Sequence, residues 1–145
     1  MIALLQRVRS ASVAIDGTTV AAIERGILAL VAAERDDDEA RARRLAERVG
    51  SYRLFSDTEG RMNLNVAQAG GAILAVPQFT LAADTRRGNR PGFSRALAGA
   101  PAEHLFNVFA DALAQGAVPV ALGRFGADMQ VALVNDGPVT FWLQS

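Results

Sequence analysis

The alternation of apolar and polar positions divides the chain into short strands and two helices. Ile2 to Ser12 alternates loosely and is followed by Val13 and Ile15, which predicts a strand running to an Asp16-Gly17 turn. Thr18–Ile23 is expected to pair back on it as the second arm of a hairpin. Gly26 punctuates, and Ile27–Ala33 is an unbroken apolar run, the pattern of a central strand covered on both faces. Asp36-Asp37-Asp38-Glu39, followed by Leu45, Val49 and neighbouring alanines, predicts a helix of about four turns whose acids cap its first N–H groups. Tyr52–Phe55 and Met62–Val66 read as strands around a turn at Ser56–Gly60, and Gly70-Gly71 introduces a strand over Ala72–Phe79. Leu105, Phe106, Phe109 and Leu113 recur at helical spacing and predict a helix over Ala102–Gln115, started by Pro101 and ended by Gly116. Val118–Leu122 resumes a strand and Gly123–Gly126 turns. The last two runs, Met129–Val134 and Val139–Leu143, flank Asn135-Asp136-Gly137-Pro138 and are expected to form a hairpin. The sum is an α+β fold: one compact domain over residues 1–145, with a mainly antiparallel, barrel-like sheet and two long helices packed on it.

Composition narrows the classes. The chain has 145 residues, half of them hydrophobic, which suits a single soluble core. Ile27–Ala33, the longest apolar run, is far too short to span a bilayer, and Gln6, Arg7 and Arg9 break any signal-peptide pattern. No membrane partner is therefore expected. The absence of cysteine excludes disulfides and thiolate chemistry and is compatible with the cytoplasm. Adjacent carboxylates at Asp36–Glu39 lack the turn geometry of a chelating loop, so no metal is expected. His104, the one histidine, lies on the second helix beside a core stripe and reads as a surface or satisfied residue more than as a general base.

Net charge is zero and all fifteen basic residues are arginine. A GC-rich coding sequence accounts for that bias most simply, although arginine also suits bidentate phosphate contacts. The charge is locally uneven. Asp84-Thr85-Arg86-Arg87-Gly88-Asn89-Arg90-Pro91-Gly92-Phe93 is a mobile basic surface loop, and Arg86, Arg87, Arg90 and Phe93 suit single-stranded RNA, guanidinium on phosphate and ring on base.

Two stretches carry chemistry. Pro138 has no N–H to give to a ladder, and a Gly-Pro step at a strand end can offer two backbone carbonyls outward. Gln78-Phe79-Thr80-Leu81 closes an apolar run and opens a polar loop. Together with Asn135-Asp136-Gly137-Pro138-Val139-Thr140, it resembles the paired signatures of the D-aminoacyl-tRNA deacylases. The resemblance runs from Met1-Ile2-Ala3-Leu4 through Asn63-Leu64-Asn65 and Asp84-Thr85-Arg86 to Phe141-Trp142-Leu143-Gln144. It implies hydrolysis of the ester of D-aminoacyl-tRNA at its 3′ acceptor end, with no cofactor and no DNA partner. It further implies a cis Gly137-Pro138 step that enters a partner's pocket in an obligate homodimer, and a bracing role for Arg7. Where the family pattern has serine, this chain has Pro77. A sister group acting on mischarged L-alanyl-tRNA resembles P-Q-A-T-L there, whereas Phe79 and the second motif point back to the D-specific group.

The side-chain inventory fits that implication. There is no G-x-S-x-G elbow, and Thr80, the hydroxyl of the motif, has no base near it in sequence. The motif offers Gln78 and the backbone N–H groups of Phe79 and Thr80 at a strand end, an oxyanion hole in waiting. The 2′-OH of the substrate's own ribose would supply the help that the protein lacks. Rigid carbonyls at Gly137-Pro138 would block an L side chain, accept any D side chain, and let glycine through. The L-alanyl enzyme and a non-catalytic nucleic-acid end-binding module are the competing readings.

Overall fold

The computed structural model describes residues 1–86 and 88–145, and its spine is β1, Ile2–Ile15, which pairs on both edges. Asp16 and Gly17 both take positive φ, as the predicted two-residue turn requires, and β2, Thr18–Ile23, returns along the second half of β1. β3, Gly26–Ala32, pairs antiparallel with the first half of β1 on the same edge. On its other side β3 runs parallel to β6, Ala72–Pro77, which runs parallel to β7, Val120–Leu122. The predicted, mainly antiparallel sheet is present and curls into a nearly closed barrel, with two parallel pairings added on one side. β4, Phe55–Ser56, and β5, Met62–Leu64, form a small separate hairpin, shorter than the strands expected at Tyr52–Phe55 and Met62–Val66.

The unbroken apolar run of β3 follows from its two environments. Ile27, Ala29 and Val31 face α1, Glu39–Ser51, and α2, Gly99–Ala114, while Leu28 faces the barrel interior with Val8, Val13, Leu74 and Val76. Asp38 caps α1, its carboxylate accepting the Arg41 N–H at 2.8 Å. α2 begins at Gly99, three residues before the expected Ala102, because Pro101 is tolerated anywhere in a first turn. Leu105, Phe106, Phe109 and Leu113 are buried as their spacing predicts. Each such side chain contributes about 1.5–3 kcal/mol by leaving water.

Two expectations fail, both at the chemistry-bearing stretches. The strand expected over Ala72–Phe79 stops at Pro77, which cannot extend a ladder, and Phe79–Ala82 forms a 3₁₀ turn. The expected final hairpin does not form. Residues Gln130–Gln144 make one strand, β8, whose two halves are collinear and both pair with β1. A hairpin needs its flanks to pair with each other, and here the fourteen residues of β1 are long enough to hold both. The Asn-Asp-Gly-Pro stretch is accordingly a bulge: Asn135 pairs with Val8 and Thr140 with Gln6, so Asp136–Val139 stand opposite Arg7 alone.

Two glycines give opposite expectations. A Cβ at Gly26 would lie 1.9 Å from the Ala72 carbonyl oxygen, whereas one at Gly50, inside α1, would meet nothing within 4 Å. Gly26→Ala is expected to destabilise the fold by about 2–3 kcal/mol, and Gly50→Ala to stabilise it by about 0.5–1 kcal/mol, in urea denaturation.

Candidate active site

Where β6 ends, the Gln78 N–H still donates to the Val31 carbonyl at 2.7 Å, and the chain then turns into the 3₁₀ segment. The first N–H groups of any helical turn lack intrahelical acceptors. Among the described residues, those of Phe79 and Thr80 have none elsewhere either. The Gln78 side-chain amide donates to Thr80 Oγ1 at 2.6 Å, which fixes that hydroxyl across the turn. Among the described residues no histidine or carboxylate hydrogen-bonds to Thr80: Glu34, which lines a groove with it, is held by Arg95 at 2.6 Å and Gln144 at 2.7 Å, and His104 Nε2 lies 2.8 Å from Glu39 Oε1. That hydrogen bond, with Arg43 on the other oxygen, lowers the Glu39 pKa.

A cavity of about 310 Å³ opens beside this turn, walled by Val76, Pro77, Gln78 and Phe79 on one side. Its other wall is the segment Phe125–Met129 with Val131, which sequence reading treated only as a turn and the start of a strand. Gly123 makes that wall close up on the motif, since a Cβ there would sit 3.0 Å from the Met129 sulfur and 3.3 Å from Val76. Nothing local in the sequence marks Phe125 and Met129 as lining of this cavity. Phe79 is 55% exposed and its ring meets that of Phe93 at 5.1 Å, so Phe93 leans on the motif turn from the end of the basic loop.

That loop is folded back on itself. Asp84 and Gly92 exchange two backbone hydrogen bonds, and Arg86 grips the Asp84 carboxylate through Nε at 2.8 Å and Nη2 at 2.6 Å. The Arg86 guanidinium and its backbone N–H hold the Asp84 carboxyl well below the usual carboxylate range. Arg86 and Arg90 line a groove of about 470 Å³; among the described residues, Arg90 has no carboxylate partner. Arg87 lies outside the described residues.

The second motif is built around Asn135 and Arg7. Asn135 Nδ2 donates to the carbonyls of Arg7 at 3.0 Å and Val139 at 3.1 Å, tying both ends of the bulge. A Cβ at Gly137 would lie 2.1 Å from Asn135 Oδ1, so only glycine leaves room for that tie. The Gly137–Pro138 bond is cis. Arg7, 15% exposed, donates from Nε to the Asp136 carbonyl at 2.9 Å and from Nη1 to the Leu54 carbonyl at 2.8 Å. Its Nε also lies 3.2 Å from the Asp136 carboxylate, which Arg9 approaches at 3.5 Å.

The two motifs do not meet within one chain. Pro77 stands in a row with Val31, Ala3 and Leu143, while the bulge lies opposite Arg7, four residues along β1. With strands about 4.8 Å apart and a rise of about 3.3 Å per residue, the separation along the sheet is about 20 Å. The far edge of β8 has no strand partner among the described residues, and Val134 and Trp142 on it are half exposed.

No helix is long and apolar enough to cross a membrane, and among the described residues no group of three or more His, Asp or Glu side chains could hold a metal ion. A family model described as D-Tyr-tRNA(Tyr) deacylase matches residues 4–144. A protein of Vibrio cholerae serotype O1 named D-aminoacyl-tRNA deacylase is 58% identical over 145 residues, covering all of both chains. One of the same name from Citrobacter koseri is 60% identical over 144 residues and 99% of each chain. Among solved structures, the c-Myc DNA Unwinding Element Binding Protein superposes with a TM-score of 0.94 at 36% identity, over 100% of this chain and 99% of that one. A probable eukaryotic D-amino acid tRNA deacylase superposes with a TM-score of 0.82 at 17% identity, a likeness of fold.

The tie made by Asn135 is open to measurement. Asn135→Ala removes both hydrogen bonds across the bulge and is expected to cost about 1–3 kcal/mol in chemical denaturation. Asn135→Asp keeps the size but turns one amide donor into a carboxylate facing two carbonyls, and should cost no less.

Proposed function

The chain belongs to the D-Tyr-tRNA(Tyr) deacylase family and acts as a D-aminoacyl-tRNA deacylase; we propose that backbone groups carry out this hydrolysis in a site completed by a second copy of the chain. The observation that carries the proposal is the pair of unclaimed N–H groups at Phe79 and Thr80, beside a hydroxyl that no base activates. Placed on the ester carbonyl, they stabilise the oxyanion as water adds to the carbon. Losing one such donor typically costs about 10²–10³ in rate. The ribose 2′-OH orients the water and relays its proton, and the 3′-oxygen leaves as the hydroxyl of the tRNA. Gln78 keeps Thr80 in place, and Phe125 and Met129 wall the cavity that takes the aminoacyl group.

Chirality is assigned to Gly137-Pro138, braced by Arg7. Their carbonyls accept the substrate's α-ammonium and stand where an L side chain would project, so exclusion works by clash. Any D side chain points away, and glycine presents nothing to exclude. The separation of about 20 Å between the motifs supports a homodimer in which the bulge of one copy completes the cavity of the other, because two groups that far apart cannot touch one ester. The unpaired edge of β8 and its exposed Val134 and Trp142 offer a surface for that pairing. Arg86, Arg87 and Arg90 are assigned to phosphates of the acceptor end, with Arg86 exchanging Asp84 for phosphate on binding. Phe93 is assigned to the Phe79 turn as much as to a base, given their ring contact.

DNA binding is the second reading, favoured by the likeness to the c-Myc DNA Unwinding Element Binding Protein, 36% identical. Release of free amino acid from D-tyrosyl-tRNA separates the two, since a binding module turns nothing over. An L-alanyl-tRNA assay alongside tests the pull of Pro77 toward the sister group.

Two results are expected. Thr80→Ala should keep turnover within about tenfold of wild type, while a substrate lacking the terminal 2′-OH should lose about 10²–10⁴ in rate, the usual worth of a positioned proton relay. A trapped aminoacyl ester on Thr80 would contradict this. Arg7→Ala should lower the D-over-L ratio on tyrosyl-tRNA by about tenfold or more, because the lost charge-assisted bonds are worth about 1.5–3 kcal/mol each. Wild type should cleave glycyl-tRNA and spare L-tyrosyl-tRNA; full D-selective activity from a monomer would defeat the shared-site reading.

A further inference from the structure

Most arginines of this neutral chain are spent on its own carboxylates. On α1, Arg41 pairs with Asp37, Arg43 with Glu39 and Arg44 with Glu47. Arg48, one turn further on, and Arg53, just past the helix, have no carboxylate within 4 Å among the described residues. Among the described residues, Arg48 donates to the Gln144 carbonyl alone, at 2.6 Å, and the Arg53 side chain makes no hydrogen bond. Both line one groove of about 450 Å³, the other walls being Ser51, Tyr52, Met62 and Phe141. Among the described residues, no acidic side chain lines it.

The rest of the lining is suited to a base or ribose. Tyr52 and Phe141 meet edge to face at 5.3 Å, which fixes both rings, and Met62 leaves its thioether half exposed beside them. Two uncompensated guanidiniums beside an immobilised aromatic pair form a pocket for a phosphodiester and its neighbouring base. Its location ties it to the reaction. Phe141 lies three residues beyond Pro138 on β8, and Arg7, which holds the Gly-Pro bulge, donates to the Leu54 carbonyl next to Arg53.

We propose that this groove, between the end of α1 and β8, docks the backbone of the tRNA substrate beside the Gly-Pro bulge, at residues separate from those that line the cavity at the Phe79 turn. The inference rests on the deacylase reading, because that reading supplies an RNA long enough to reach a second contact. It adds Arg48 and Arg53 to the RNA-binding surface; the basic loop is on a different part of the chain.

The test is equilibrium binding of deacylated tRNA across a salt series, which requires no turnover. Arg53→Gln breaks no internal contact and should weaken binding about threefold to tenfold, lowering the log–log salt slope by about 0.7–0.9. Arg48→Gln together with Arg53→Gln should weaken binding about tenfold to a hundredfold and lower the slope by about 1.4–1.8, and Arg44→Gln, whose partner is Glu47, should match wild type. An unchanged affinity and slope in the double variant would overturn the proposal, as would an equal loss in Arg44→Gln. Equally tight, equally weakened binding of a DNA strand of the acceptor sequence would overturn the assignment to RNA. The deacylase reading is judged separately, by amino-acid release from D-tyrosyl-tRNA with the wild-type protein.

Discussion

Four residues of β8 have to be accommodated opposite a single residue of β1, and much of the functional architecture follows from that mismatch. Ladder pairing on either side holds both strands, so the excess can only leave the sheet as a bulge. The residue facing the gap is an arginine, whose fork reaches two carbonyls and a carboxylate at once. Asn135 closes the base of the excursion and leaves space for nothing larger than glycine at 137. A backbone element held at both ends by side-chain hydrogen bonds is stiff, and stiffness is what a filter based on clash requires.

The same economy applies to the other motif. Among the described residues no histidine or carboxylate hydrogen-bonds to Thr80, and the proposed site relies instead on backbone made available by a change of secondary structure. Parallel pairing holds β6 until Pro77 ends the ladder, and the tighter turn that follows leaves two N–H groups without acceptors among the described residues, at a turn whose Phe79 lines a cavity. In the proposed mechanism, catalysis and chirality fall to two irregularities at strands that are otherwise regular.

Much of the frame was legible in sequence. The Asp16-Gly17 turn, the doubly buried β3 and the spacing of Leu105, Phe106, Phe109 and Leu113 are local signals, and each held. The failures share a cause. Asn-Asp-Gly-Pro between apolar runs is as good a bulge as a hairpin turn, and the length of β1, 130 residues away in sequence, decides between them. Phe125 and Met129 were invisible for a similar reason: the crossover through α2 lays β7 beside β6 and carries their turn onto Gln78. Arg86 looked free because its partner, Asp84, is a near neighbour whose grip depends on the loop folding back.

In the proposed site, backbone groups of one copy hold the ester while the Gly137–Pro138 carbonyls of another read the α-carbon. A crystal structure with a non-hydrolysable 3′-D-aminoacyl-adenosine analogue tests it most directly. The account predicts the ligand's carbonyl oxygen at about 2.7–3.1 Å from the Phe79 and Thr80 N–H groups, with its α-ammonium on Gly137–Pro138 of a second copy. A ligand seated in that cavity with its α-carbon facing solvent or its own chain, and no second copy in contact, would contradict it.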